Sequence, residues 1–126
     1  MNQSSNKKYD LEERTAKFGE EVIVFCKALR KDFITKPLIS QLVRSATSIG
    51  ANYMEANGAS SKKDFRNKIY ICKKEAQETK HWLRMIAKSL PEEKTSTRKL
   101  WKESQELTMI FQKITTTLKG KRIEKL

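Results

Sequence analysis

Apolar residues recur at intervals of three and four in four successive stretches of the chain, a spacing that lays one stripe along one face of a helix. The first stretch carries Leu11, Phe18, Val22, Phe25 and Leu29, with Thr15 in the polar gap. The second runs Ile39, Leu42, Ala46, Ile49, Tyr53, Ala56, and the third Phe65, Ile69, Cys72, Ala76, Thr79, Leu83, Ile86, Leu90. The fourth is sparser: Leu100, Leu107, Phe111, Ile114 and Leu118, with Ser104 in the gap.

Helix punctuation separates the stripes. Pro37 suits the first turn of a helix, where its missing N–H has no partner to lose. Asn57-Gly58 terminates the second helix, and Ser61 with Asp64 reads as a capping box opening the third. Pro91 disfavours helical geometry at Leu90 and stops the third helix there. An extended coiled coil is the alternative for stripes this narrow. The three breaks favour short connections, hence an all-α, antiparallel up-down-up-down four-helix bundle over residues 11–118. A flexible N-terminus over 1–10 and a basic C-terminal tail over 119–126 complete the expected organisation.

Composition sharpens this picture. Gly and Pro total six in 126 residues, too few for a chain of many strands and tight turns. The net charge is +12, and residues 62–126 hold 18 basic against 8 acidic side chains, so most of the excess lies in the second half. Such an excess attracts polyanions, RNA and DNA among them, although charge also serves solubility alone. No apolar run approaches the length needed to cross a bilayer, and Met1 to Asp10 lacks a signal-peptide core, so a cytoplasmic protein without membrane contact is expected. Cys26 and Cys72 fall on apolar faces, where a free thiol packs as a small hydrophobe.

The flanks of the third helix differ in chemistry. About 100° from its core stripe lie Arg66, Tyr70, Lys73, Gln77, Lys80 and Arg84, with Lys62, Lys63 and Lys88 at the ends. This face suits phosphates, with Tyr70 available to stack on a base; the plainer account is a solvated basic face. The other flank holds Lys68, Ile71, Glu75, Glu78 and Trp82, a mixture suited to contact with a helix or a subunit. On the second helix Gln41, Ser45, Ser48, Asn52 and Glu55 form a polar stripe beside the apolar one. It either joins a buried hydrogen-bond network with Arg14 or Glu75, or faces water.

Four-helix bundles can house a di-iron carboxylate site, and Glu78-x-x-His81 supplies half of its motif pair. His81 is the only histidine, so the second half is missing. With no Gly-rich phosphate loop, nucleophile with a His base, or zinc-ligand cluster, neither an enzyme nor a cofactor is expected.

The run QLVRSATSIGANYMEA from Gln41 to Ala56, then Asp64-Phe65 and KEAQETKHWL from Lys74 to Leu83, with Leu11, Arg14-Thr15 and Phe18 ahead of them, resembles a family of bacterial four-helix bundle proteins. These are encoded in intervening sequences of the large-subunit ribosomal RNA gene and are also called S23 ribosomal proteins. The resemblance spans roughly residues 9 to 118. It implies assembly into a homopentamer. It also implies kinship with the accessory protein of diversity-generating retroelements, which binds nucleic acid through a basic surface and contacts a reverse transcriptase. Arg14, Gln41, Ser45, Asn52, Glu55, Glu75 and Glu78 match the pattern in place and are assigned to fold or subunit contact, with Trp82 beside them. The basic residues of helix 3 match in general character.

The reading that follows is a non-enzymatic oligomeric adaptor binding RNA or DNA through Lys63, Arg66, Tyr70, Lys73, Lys80, Arg84 and Lys88. The alternative is a protein-protein scaffold with no nucleic-acid role, in which Trp82, Trp101 and the Ile71 flank matter more than the lysines.

Overall fold

The computed structural model describes residues 10–124, and their side chains as far as Leu118. Four helices account for nearly all of it: α1 (Leu11–Lys27), α2 (Thr35–Asn57), α3 (Lys62–Ser89) and α4 (Lys94–Glu124), with a 3₁₀ turn over Pro91–Glu93 between the last two. There is no strand among the described residues. Among the described residues no helix is long and apolar enough to cross a membrane.

Each boundary has a local cause. Asp10 caps α1 by accepting from the Glu13 N–H at 3.1 Å, and Glu12 and Glu13 in the first turn oppose the positive end of the helix dipole. At the other end the Lys31 ammonium donates to the carbonyls of Cys26, Lys27 and Leu29 at 2.7–3.1 Å, satisfying acceptors that the helix leaves open. Asp32 and Thr35 bond reciprocally at the start of α2: Asp32 Oδ1 accepts from the Ile34 and Thr35 N–H groups, and Thr35 Oγ1 from that of Asp32, each at 2.9 Å. Pro37 lies in the first turn of α2. Ser61 caps α3 by accepting from the Asp64 N–H at 3.0 Å, as the capping pattern predicts. Leu90 leaves helical geometry ahead of Pro91.

Along each pair of successive helices, the partner's residue number falls as the residue number rises. Thr15 abuts Gly50, and Gly19 abuts Thr47. Cys72 reaches the Ile49 carbonyl and Thr79 reaches Ser45; Ser104 donates to the Ala76 carbonyl at 2.7 Å and Lys73 to Gln112 at 2.8 Å. Neighbouring helices therefore run in opposite directions. α1 packs on α2, α2 on α3 and α3 on α4. α1 and α4 meet sparsely, leaving an open groove of about 730 Å³ with Val24, Phe25 and Leu100 among its lining.

The core follows the apolar stripes. Leu11, Phe18, Val22 and Leu29 from α1 and its exit, Leu42, Ala46 and Ile49 from α2, Ile69, Cys72, Leu83 and Ile86 from α3, and Leu107 and Phe111 from α4 are all buried. The sparse fourth stripe is supplemented by hydroxyls: Thr97, Ser104, Thr108 and Thr115 are buried, each bonded to a backbone carbonyl. No buried side-chain polar atom among the described residues lacks a partner.

The C-terminal boundary departs from expectation, whereas α1 begins at Leu11 as expected. The basic tail expected over 119–126 is helical backbone in α4 as far as Glu124, and residues 125–126 lie outside the described residues. Of the N-terminal segment expected over 1–10, only Asp10 is described, and it is the α1 cap.

A candidate nucleic-acid interface along the third and fourth helices

The basic flank of α3 turns toward α4. Lys73 Nζ donates to Gln112 Oε1, and Lys80 Nζ donates to Gln105 Oε1. Both acceptors are neutral amides, so the bonds hold each ammonium in place without cancelling its charge. Lys73 Nζ stands 5.7 Å from the centre of the Tyr70 ring and Lys80 Nζ 5.3 Å from that of Trp101, within cation–π range. Arg66 is half-buried and Arg84 exposed on the same flank; Lys63 and Lys88 are exposed near the ends of α3. From α4 the seam receives Arg98, one heptad before Gln105, together with Trp101.

Four carboxylates of the same two helices, Glu75, Glu78, Glu103 and Glu106, point elsewhere. Arg44 of α2 takes Glu75 at 3.4 Å and Glu78 more closely; Gln41 accepts from its Nε at 3.2 Å, and the Trp82 indole donates to Glu78 at 3.2 Å. Glu75 is almost entirely covered in this cluster. Arg14 of α1 grips Glu103 of α4 with two bonds of 2.8 Å and lies 3.6 Å from Glu106. These carboxylates raise the Arg14 pKa above its ordinary value, the hydrogen bond to Glu103 outweighing the cost of partial burial. Lys68 pairs with Glu55 at 2.7 Å, and that bond holds the ammonium above its usual pKa. Among the described residues none of Arg66, Lys73, Lys80, Arg84, Lys88 and Arg98 enters an ion pair.

The polar stripe of α2 divides between both readings offered for it. Ser45 is buried, its hydroxyl 2.9 Å from that of Thr79, whereas Gln41 and Glu55 are exposed. Asn52 and Ser48 are half-buried and bond to carbonyls of their own helix, at Ser48 and Arg44. Arg14 takes no part in that stripe. It projects from the other flank of α1 and bridges to α4, where a bidentate carboxylate awaits it. Trp82 is half-buried against the core of the bundle, and His81 meets it edge-on, 4.9 Å between ring centres.

Three contributors escaped the linear sequence. Trp101, set apart from the basic flank there, lies beside Lys80. Arg98 extends the same surface, and Arg44, outside every stripe, collects Glu75 and Glu78 of α3. A signal existed for Trp101: it shares the α4 flank with Gln105 and Gln112, and a short α3–α4 connection brings that flank beside Lys80 and Lys73.

Cys26 and Cys72 are buried free thiols. Burial pushes them up to about 11 and about 12, so both stay protonated and unreactive at neutral pH. No group of three His, Cys, Asp or Glu among the described residues is arranged to hold a metal.

Comparison with known proteins places this geometry in context. A family model described as 23S rRNA-intervening sequence protein matches residues 7–113. A crystal structure of a protein of unknown function from the S23 ribosomal protein family, from Bacteroides thetaiotaomicron VPI-5482, superposes with a TM-score of 0.74 at 30% identity, covering 82% of this chain and 96% of that one. No curated protein matches.

Proposed function

The chain belongs to the 23S rRNA-intervening sequence protein family, and from that premise we propose that it is a non-enzymatic adaptor that binds nucleic acid along the α3–α4 seam. One observation carries the reading: Glu75 and Glu78 of α3 and Glu103 and Glu106 of α4 are drawn into ion pairs with Arg44 and Arg14, while among the described residues the cations of the seam enter no ion pair. At physiological salt a charge is felt over about 8 Å. A phosphodiester strand laid along the seam thus meets Arg66, Lys73, Lys80, Arg84 and Arg98 in turn, each phosphate near one or two of them, with little competing repulsion.

The test is fluorescence anisotropy of labelled RNA and DNA strands titrated with wild type and with a Lys73→Glu, Lys80→Glu double variant whose helicity and melting are unchanged. Binding that the variant abolishes supports the seam; binding that the variant leaves intact refutes it.

The α1–α4 groove favours a second component of the reading, self-association. Val24 on its rim is 69% exposed and Ile23 beside it 40%, apolar area that a neighbouring subunit would cover. Association would set several seams side by side and raise avidity without new contacts. A partner protein seated in the groove is the competing scaffold function, which a pull-down surviving nuclease and high salt would favour.

A further inference from the structure

Four tyrosine and tryptophan side chains are described, and they fall into two pairs. Tyr53 and Trp82 are packed against the core; Tyr53 stacks obliquely on Phe111 at 6.0 Å, and Trp82 donates to Glu78. Tyr70 and Trp101 do neither. They stand 40% and 39% exposed on the basic seam, one from each of its helices, each with a lysine ammonium close to its ring. A large aromatic left half in water forgoes much of its hydrophobic stabilisation, so the fold does not account for this pair.

We propose that the α3–α4 seam is a track for unpaired nucleotides, with Tyr70 and Trp101 as platforms on which bases stack and Lys73 and Lys80 as the cations for their phosphates. The inference rests on the nucleic-acid reading above and adds the class of strand. Stacking needs an open base face. A duplex hides its base faces within its own stack, whereas single strands and loops present them. At 1.5 Å per residue, the ten residues from Tyr70 to Lys80 and the further turn to Trp101 put the two rings roughly 20 Å apart along the bundle axis. Lys73 and Lys80 fall on the line between them. Each ammonium is already fixed by a glutamine and poised at a ring, so a base stacked there has a cation within reach of its own phosphate, with little ordering left to do on binding. Stacking does not distinguish ribose from deoxyribose, so unpaired RNA and unpaired DNA share this chemistry.

The experiment compares wild type with a Tyr70→Leu, Trp101→Leu variant, which keeps apolar bulk and all seam charges. The probes are labelled 20-nucleotide oligo(U) and oligo(dT), and mixed-sequence RNA and DNA duplexes of equal length, at one salt concentration and then across a salt series. Wild type is expected to bind the single strands at least tenfold more tightly than the duplexes. The variant should lose about tenfold per ring on single strands, with duplex affinity and the salt slope unchanged. Quenching of tryptophan fluorescence by oligo(U) should disappear with Trp101→Leu alone. Tight binding of oligo(U), of oligo(dT) or of both supports the track, and a preference for one of them identifies the strand it carries. Equal affinity for duplex and single strand, or a variant that binds single strands like wild type, overturns the stacking inference while leaving the phosphate-binding seam standing. Absence of binding by wild type to all four probes overturns both.

Discussion

Neutralising Lys73 and Lys80 without reversing them gives a quantitative test of how the seam works. Glutamine at either position can still donate to Gln112 or Gln105, so the α3–α4 contact is kept and only charge is lost. Five cations line the seam: Arg66, Lys73, Lys80, Arg84 and Arg98. If each neutralises one phosphate of a single strand, the logarithm of affinity falls with the logarithm of salt at a slope of about −3.5, from about 0.7 counterions released per contact. Between 50 and 200 mM salt that is a loss of roughly a hundredfold. A Lys73→Gln, Lys80→Gln variant retains three contacts, a slope of about −2 and a loss of roughly twentyfold over the same range. The assay is anisotropy with a labelled 20-nucleotide strand at five salt concentrations, after circular dichroism has shown equal helicity. Weaker binding with an unchanged slope would refute the reasoning, because the two lysines would then act by something other than phosphate neutralisation.

Three further outcomes follow from the packing. A methyl group on Gly19 meets Thr47 at an ordinary 3.5 Å, so Gly19→Ala gains helix propensity of about 1 kcal/mol and raises Tm by about 4 °C; at Gly50 it would lie 3.2 Å from Thr15 Oγ1, tied to the Leu11 carbonyl at 2.6 Å, and 3.4 Å from α1 backbone, so Gly50→Ala lowers Tm in the same thermal melts. Cys26 and Cys72 should resist a thiol reagent at pH 8 and react fully in denaturant; because burial raises both pKa values, their contribution to stability is complete below the unfolded thiol pKa and falls away as pH climbs toward 11–12, which alkaline melting curves would reveal. Asp32 is held below its ordinary pKa, first by the Thr35 and Ile34 N–H groups, so its contribution is present above the unfolded value near 3.8 and is lost as acid titrates it; Asp32→Asn should flatten that part of the acid-stability profile.

What the linear sequence carried, and what it did not, divides along a physical line. A stripe such as Ile69, Cys72, Ala76, Leu83, Ile86 names its own buried face, because helical periodicity is intrinsic to one segment. Caps and stops are similarly local: Ser61 caps α3 and Pro91 stops it as their types require, with only the Ser61 half of the capping box formed. The flanks are another matter. Whether Lys73 faces solvent or a neighbour depends on the rotation and axial register of a second helix, which no single segment encodes. Sequence alone therefore offers Arg14 only as one possible partner of the α2 stripe, whereas the packing directs it to Glu103, and it gives no sign that the Lys80 ammonium stands 5.3 Å from the centre of the Trp101 ring. Hydroxyls in the fourth stripe blurred its period for a different reason: Ser104, Thr108 and Thr115 are buried because each finds a carbonyl, a solution that hydropathy alone does not recognise.

The same side chains that stabilise the bundle also create its polarity. α1 and α4 have few backbone approaches, so the bidentate Arg14–Glu103 pair is a principal tie on that edge, and Arg44 does comparable work between α2 and α3. Each tie draws a carboxylate to the side away from the seam. Had Glu75, Glu78, Glu103 and Glu106 been distributed evenly around α3 and α4, the surplus of basic residues would have been locally cancelled and no polyanion would find a continuous positive track. Segregation of the carboxylates, more than the total of +12, is what gives the seam its character. It follows that the proposed binding and the stability of the bundle are separable here. Seam lysines hydrogen-bonded only to neutral amides can change with small effect on the fold, while Glu75, covered beneath Arg44, cannot lose its partner without leaving a charge stranded. Arg44→Met should therefore lower Tm yet leave the seam cations in place, the reverse of what the lysine substitutions do.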